Sequence, residues 1–279
     1  MLDAHCLSYV YPDATVALDA VSIAVSAGEK TVILGANGAG KSTLLLALNG
    51  SLKPTAGEVR LHGLPVDYSR KGLALLRSTV GLVLQDPDDQ LFAATVFEDV
   101  SFGPLNMGLS ARESRARVEQ ALASMGIAHL AGRSTHMLSF GQRKRVALAG
   151  VLAMQPSVLL LDEPTAGLDP KGVEELMRSL SVLASQGTAI VIATHDMEIA
   201  YAWADQIAIF AGGRIVRSGL PDDVFADAEV LDQAGLLPPL IFQASRKLRD
   251  AGLLAADNAL PRSREQLMDA MDMISARHP

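Results

Sequence analysis

The chain has 279 residues, enough for one or two domains with a sizeable core, and 49% of them are hydrophobic, which excludes a disordered protein. A formal net charge of −7 excludes a general nucleic-acid binder. The single cysteine, Cys6, excludes an intrachain disulfide and fits a reducing cytosol. Aromatic residues make up only 4%, so aliphatic side chains carry the apolar load, as in parallel strands buried under helices.

The N-terminal MLDAHCLSYVY has no basic region followed by an apolar one, so no signal peptide is expected. No segment approaches the roughly 20 apolar residues of a membrane span, so any membrane role is expected to be peripheral. Residues 16–34 hold short strand-like runs ending in TVIL. GANGAGKST follows, then a helical stretch, LLLALN, with Gly50 as its stop. TVGLVLQ at 79–85 reads as a buried strand, and the next 19 residues, from Asp86 to Pro104, as loop and then mixed structure. Ser110 and Glu113 form a capping box, and Val118, Ala121, Leu122 and Met125 line one face of the helix behind it. SVLLLDEP is a strand ended by acids, residues 171–184 are helical, and AIVIATH at 189–195 is a strand. A strand and hairpin at Gly212 and Gly213 follow. Two amphipathic helical pieces are expected around LLPP. Alternating strands and helices predict an α/β sheet. The mainly helical stretch from about 87 to 150 interrupts it as an inserted subdomain.

GANGAGKS at 35–42 matches G-x-x-x-x-G-K-[ST] between a strand and a helix, the context that motif requires. Its backbone N–H groups can close around phosphate oxygens. Lys41 can reach the β- and γ-phosphates, and Ser42 can ligate Mg²⁺. In LLLLDEP, Asp162 ends a buried strand where it can hold Mg²⁺ through coordinated water, and Glu163 stands where it can polarise an attacking water. The residues alone indicate a P-loop nucleotide hydrolase.

LSFGQRKR at 138–145 adds a second anion site. Ser139 and Gln142 have capping-box spacing, and a helix start offers free N–H groups and partial positive charge. Arg143, Lys144 and Arg145 cannot all face one ligand on a helix, so some are expected to be solvated or paired with acids of the subdomain.

LSFGQ before LLLLDEP, followed by AGLD and ATHD, resembles the nucleotide-binding subunit of ATP-binding-cassette (ABC) transporters over about residues 3–222. The resemblance implies an α/β P-loop NTPase cassette. It would have a RecA-like core, an antiparallel β edge, an inserted α-helical subdomain and a short helical C-terminal extension. The implied division is core and β subdomain at 1–86, signature subdomain at 87–150, second part of the core at 151–222 and a helical extension at 223–279 that adds a dimer contact. ATP and Mg²⁺ are the implied ligands. Nucleotide contacts would come from Asn37, Gly38, Ala39, Gly40, Lys41, Ser42 and Thr43, with Tyr11 stacking on adenine; Tyr9, two residues away, is the alternative. Mg²⁺ would be held by Ser42, Gln85 and Asp162. Glu163 would be the catalytic base, His195 the switch histidine on the γ-phosphate, Gln85 the glutamine reporting to the membrane partner and Asp169 the residue communicating across the dimer. Ser139, Gly141 and Gln142 would act on the ATP of a second copy, so a homodimer could hold two working sites. Phe140 departs from the family's usual glycine and should face away from that phosphate.

QDPDDQLFAATVFEDVSFGP at 85–104 is similar to energy-coupling-factor importers, above all the ATPases of cobalt and nickel uptake. That implies a membrane scaffold (T-type) subunit docking near Gln85, a substrate-capture membrane subunit, no nucleic acid, and a place on the cytoplasmic face of the cell membrane. Leu91, Phe92 and Phe97 are candidates for the docking groove or for the subdomain's own core. Cobalt import is expected; nickel, a vitamin, or a soluble non-transport ABC ATPase are the alternatives. His5, His62, His129, His136, His278 and the MDAMDM run lack metal-site spacing, so cargo should not touch this chain.

Overall fold

Residues 1–255 and 259–277 are described by a computed structural model. The chain opens with strands β1 (Leu2–Val10) and β2 (Val16–Val25), then β3 (Lys30–Leu34) and helix α1 (Lys41–Leu48). Strands β4 (Ala56–Leu61) and β5 (Leu64–Pro65) precede helix α2 (Arg70–Thr79) and β6 (Val80–Val83). A 3₁₀ turn at Pro87–Asp89 leads to three helices, α3 (Val96–Asn106), α4 (Ala111–Ser124) and α5 (Phe140–Leu152). Then come β7 (Val158–Asp162), α6 (Pro170–Ser185), β8 (Ala189–Thr194), α7 (Met197–Trp203), β9 (Gln206–Ala211) and β10 (Arg214–Gly219). The last four helices are α8 (Pro221–Phe225), α9 (Ala228–Gln233), α10 (Leu240–Asp250) and α11 (Arg264–Arg277).

The apolar runs form the interior of a six-stranded sheet of order β10-β9-β3-β8-β7-β6, parallel from β9 to β6. A four-stranded antiparallel sheet, β2-β1-β4-β5, lies apart from it. Side chains alternate along a strand. Val32, Leu34, Leu159, Leu161, Ile190 and Ile192 therefore face one cluster with Leu176 and Leu180 of α6. Ile33, Leu160 and Val191 face the other, with Leu44, Leu45 and Leu48 of α1 and Leu2, Leu7 and Val59 of the antiparallel sheet. From Leu44 to Leu48, helix α1 is apolar all round because it is packed between the two sheets, and those three leucines are 0% exposed.

Both faces of the parallel sheet are covered, so its polar groups are free only at the strand ends. β3, β8 and β7 are neighbours, and their carboxyl ends lead into Gly35, His195 and Glu163.

Three features differ from the sequence-based expectations. β6 stops at Val83, so Leu84 and Gln85 lie outside the sheet. Helix α3 occupies much of the stretch read as mixed, begun by a capping box of Thr95 and Glu98. The end of the chain holds four helices instead of two: α9 and α10 flank LLPP as expected, and α8, of only 5 residues, and α11 stand beyond that pair. The C-terminal helices share the core of the chain. Val224, Phe225, Leu231, Leu236, Phe242 and Leu260 complete the cluster that contains α6 and α7, and Tyr201 meets Phe225 and Phe242 edge-on at 5.7 and 5.4 Å. Arg262 donates from Nε to the Tyr201 carbonyl at 2.7 Å and from a terminal guanidinium nitrogen to the Ala204 carbonyl.

Leu160 is 0% exposed in the middle of β7, between β8 and β6. Leu160→Ala should lower the unfolding free energy by about 2–5 kcal/mol, read as an earlier midpoint in urea.

Candidate active site

The P-loop is shaped by what surrounds it. Gly40 caps α1 at φ 109°, and a Cβ there would stand 2.3 Å from the Ala17 carbonyl oxygen, so only glycine fits. Lys41, 6% exposed, turns back over the loop and donates to the carbonyls of Gly35 at 2.6 Å and Ala36 at 3.1 Å. The loop bounds a cavity of about 590 Å³, lined by residues 37–43 together with Tyr11, Gln85, Asp162 and Glu163. Tyr11 reaches it with its hydroxyl 3.0 Å from Thr43 Oγ1. Tyr9 packs edge-on against Tyr11 at 5.0 Å and leans on the core under the antiparallel sheet. The hairpin Gly212-Gly213 and residues 15–17 close the rest of the wall.

Burial disfavours charge on both signs here. It pushes Lys41 below the usual lysine range, against the pull of Glu163 and Asp162. It pushes the Asp162 carboxyl up, opposed by a hydrogen bond from Ser42. A polyanion beside Lys41 and a hard cation beside Asp162 would relieve both costs. The oxygens of Ser42, Gln85 and Asp162 are the donor type that Mg²⁺ takes, so the residues fit that ion.

Glu163, 5% exposed, adopts φ 42°, a left-handed conformation costly for a residue with a side chain. Five hydrogen bonds fix it. Its N–H donates to the Ala193 carbonyl at 2.9 Å, and its own carbonyl accepts from Lys144 Nζ at 2.6 Å and from the Ala166 N–H at 3.2 Å. Thr194 Oγ1 donates to Oε2 at 2.9 Å, and His195 Nδ1 lies 2.8 Å from Oε1. His195 therefore touches Glu163 while its side chain stays 59% exposed.

The other candidates gather elsewhere. Ser139, Gly141, Gln142 and Asp169 line a second cavity of about 530 Å³. The capping box of α5 is formed: the Gln142 N–H donates to Ser139 Oγ at 3.3 Å, and the Ser139 N–H to Gln142 Oε1 at 3.0 Å. Asp169 caps α6, accepting from the Gly172 N–H at 2.6 Å. The ring of Phe140 lies on Gly167 of the same chain, where a Cβ would come within 2.7 Å of it.

The three cations after Gln142 separate. Arg143 pairs with Asp88 at 2.8 Å and Arg145 with Glu175 at 2.6 Å. Lys144 is 7% exposed, neither solvated nor paired with an acid, and burial lowers its ammonium to about 8. Sequence reasoning missed Lys144 because a run of charge reads as a solvated face. It also missed Thr194, although the residue stands inside the ATHD stretch. Of the docking candidates, Phe92 is exposed and stacks edge-on with Phe102 at 4.7 Å in a groove of about 660 Å³ that also includes Leu75, Met107 and Met154. Leu91 and Phe97 pack against the core. His278 lies outside the described residues.

The sequence model of the family described as ABC transporter matches residues 18–166. The chain belongs to the ABC transporter family. As an ATP-binding subunit of that family it is an ATPase, and its sheets and helices form the ABC cassette. It is 53% identical over 271 residues to the cobalt import ATP-binding protein CbiO of Rhodobacter capsulatus, covering 97% of each chain. It is 50% identical over 236 residues to the energy-coupling factor transporter ATP-binding protein EcfA2 of Clostridium perfringens, covering 84% of this chain and 83% of that one. Among solved structures it is similar to cbiO1 of Clostridium perfringens, part of the transporter complex cbiONQ, with TM-score 0.75, 47% identity and coverage of 90% of this chain and 96% of that one. It is also similar to a dimeric bacterial ABC transporter cassette, with TM-score 0.73, 29% identity and coverage of 79% and 99%. No described helix of this ABC subunit is long and apolar enough to cross a membrane.

Because the Phe140 ring lies on its own chain's Gly167, Phe140→Gly should keep steady-state ATP hydrolysis within about threefold of the parent, the range of a substitution outside the chemistry.

Proposed function

We propose that this chain is the ATP-hydrolysing motor of an energy-coupling-factor importer, and that the cargo is cobalt. The observation that carries the reading is 53% identity, across 97% of both chains, to a protein named for cobalt import. The chain works on the cytoplasmic face of the membrane as a homodimer, beside a membrane scaffold subunit and a membrane substrate-capture subunit. The groove around Phe92 and Phe102 takes a cytoplasmic helix of the scaffold, since exposed apolar side chains next to the Gln85 segment suit such a helix. Residues 87–150 form the signature unit, which carries most of α5 and one side of this groove, Leu75 and Met154 adding to it from outside. The C-terminal extension at 223–279 adds a dimer contact; Leu237 and Leu240 are the most exposed large apolar side chains among its described residues, at 81% and 72%.

The roles divide residue by residue. The N–H groups of residues 37–43 and the Lys41 ammonium hold the phosphates, and Tyr11 stacks on adenine. Ser42, Gln85 and Asp162, the last through water, would hold Mg²⁺, which when bound neutralises phosphate charge. Glu163 accepts the proton of the attacking water. His195 contacts the γ-phosphate and keeps the Glu163 carboxylate aimed through their 2.8 Å contact. Ser139, Gly141 and Gln142 close on the ATP of the opposite subunit, and Asp169 connects the two sites. Support for a two-chain site comes from the separate cavities of Lys41 and Ser139.

Uptake of radioactive cobalt by the three-component complex in vesicles tests the cargo; ATP-driven uptake of nickel or a vitamin, without cobalt, would sink it. Glu163→Gln should lower kcat by about 100-fold or more while ATP still drives dimerisation in size-exclusion chromatography. Lys41→Ala should weaken ATP binding by about 10–100-fold, the cost of a hydrogen bond to a charged group, in a fluorescent-nucleotide titration.

A further inference from the structure

The ammonium of Lys144 is buried and charged, yet it has no part in the roles above. The second turn of α5 presents it, five residues after Ser139. It donates at 2.6 Å to the main-chain carbonyl of Glu163, at a buried point. Burying an ammonium is costly, and a single carbonyl dipole offsets only part of that cost. The nearby Glu163, Asp162 and Asp86 carboxylates oppose the loss of its charge.

The partner atom is what gives the contact meaning. Glu163 holds φ 42°, and a conformation of that kind persists only where its surroundings over-determine it. Three of its five hydrogen bonds come from the end of β8 and the residue after it, Ala193, Thr194 and His195, and a fourth is the local turn bond from the Ala166 N–H to its carbonyl at 3.2 Å. Only the fifth comes from α5. Among the described residues, no other hydrogen bond joins α5 to the segment from Asp162 to Asp169. The same helix carries Ser139 at its start, in the cavity separate from Lys41.

We propose that Lys144 is a positioning residue that couples the two active sites of the dimer, by tying the helix that meets the opposite subunit's ATP to the backbone of its own chain's Glu163. The coupling rests on the two-chain reading above. When Ser139 and Gly141 engage the opposite nucleotide, α5 settles, and Lys144 fixes the Glu163 carbonyl and so the aim of its carboxylate. A glutamate released by about 1 Å loses rate without losing nucleotide, because the phosphate cradle is built from other residues.

The test uses the full chain, with Lys144→Met removing the donor at similar length and Lys144→Arg restoring one. We expect Lys144→Met to lower kcat about 10–100-fold with KM for ATP within about threefold. The Hill coefficient for ATP should fall towards 1, and Lys144→Arg should regain at least part of the rate and of the cooperativity. Size-exclusion chromatography with ATP provides the control. Glu163→Gln dimers that form, together with a Lys144→Met chain of parental rate and cooperativity, would overturn the coupling and leave the two-chain site standing. Failure of Glu163→Gln to dimerise would overturn the two-chain site itself. A Lys144→Met loss in which KM and melting temperature worsen together, with no rescue by arginine, would make Lys144 a packing residue and also overturn the proposal.

Discussion

The parallel pairing of β3, β8 and β7 is the constraint on which the rest depends. Leu34 is registered with Thr194, and Asp162 with Ala193, so the three chain segments leave the sheet at nearly one level. Apolar cover on both faces denies water to every interior position, and polar chemistry is possible only at that level. The P-loop, the two acids and the histidine then meet without needing any long reach. Glu163 illustrates the consequence. Its N–H still pairs with Ala193 as if the strand continued, while its φ of 42° breaks the strand and turns the side chain towards Thr194 and His195.

A second constraint is electrostatic. Lys41, Lys144, Asp162 and Glu163 are all under 9% exposed, and they crowd one region with two charges of each sign. Such a group is stable only when each member has a partner in place. Lys41 and Lys144 take main-chain carbonyls, Asp162 takes Ser42, and Glu163 takes Thr194 and His195. The internal pairing keeps these side chains ordered, so little conformational freedom is left for them to lose on binding a ligand.

Much of this was legible in the sequence, for physical reasons. Strands buried on both faces leave continuous apolar runs, which is why β3, β7 and β8 could be read almost to the residue. Capping boxes at Ser110 and Ser139 depend on local hydrogen bonds alone and formed as spaced. β4, β5 and α2 were not read, since β4 and β5 are mostly half-exposed or exposed and α2 buries only Leu76. Among the site residues, the P-loop and its acids announce themselves by a motif on one continuous stretch. Lys144 and the packing of Leu91 and Phe97 do not, because their roles depend on segments far away in the chain. A charge run and an apolar loop look the same whether tertiary contacts claim them or water does.

The shared core of the C-terminal helices has a consequence for synthesis. When the ribosome has passed Ser218, every motif of the nucleotide sites has been made. Tyr201 nevertheless still lacks Phe225, Phe242 and the arginine at 262 that closes over its carbonyl. At about 5–20 residues per second, the chain spends several seconds motif-complete but with that aromatic face uncovered. A product terminated in this interval would carry every one of those motifs and an open aromatic face, the kind of exposed apolar surface that favours aggregation. The last helices thus close the core of a chain whose motifs are already complete.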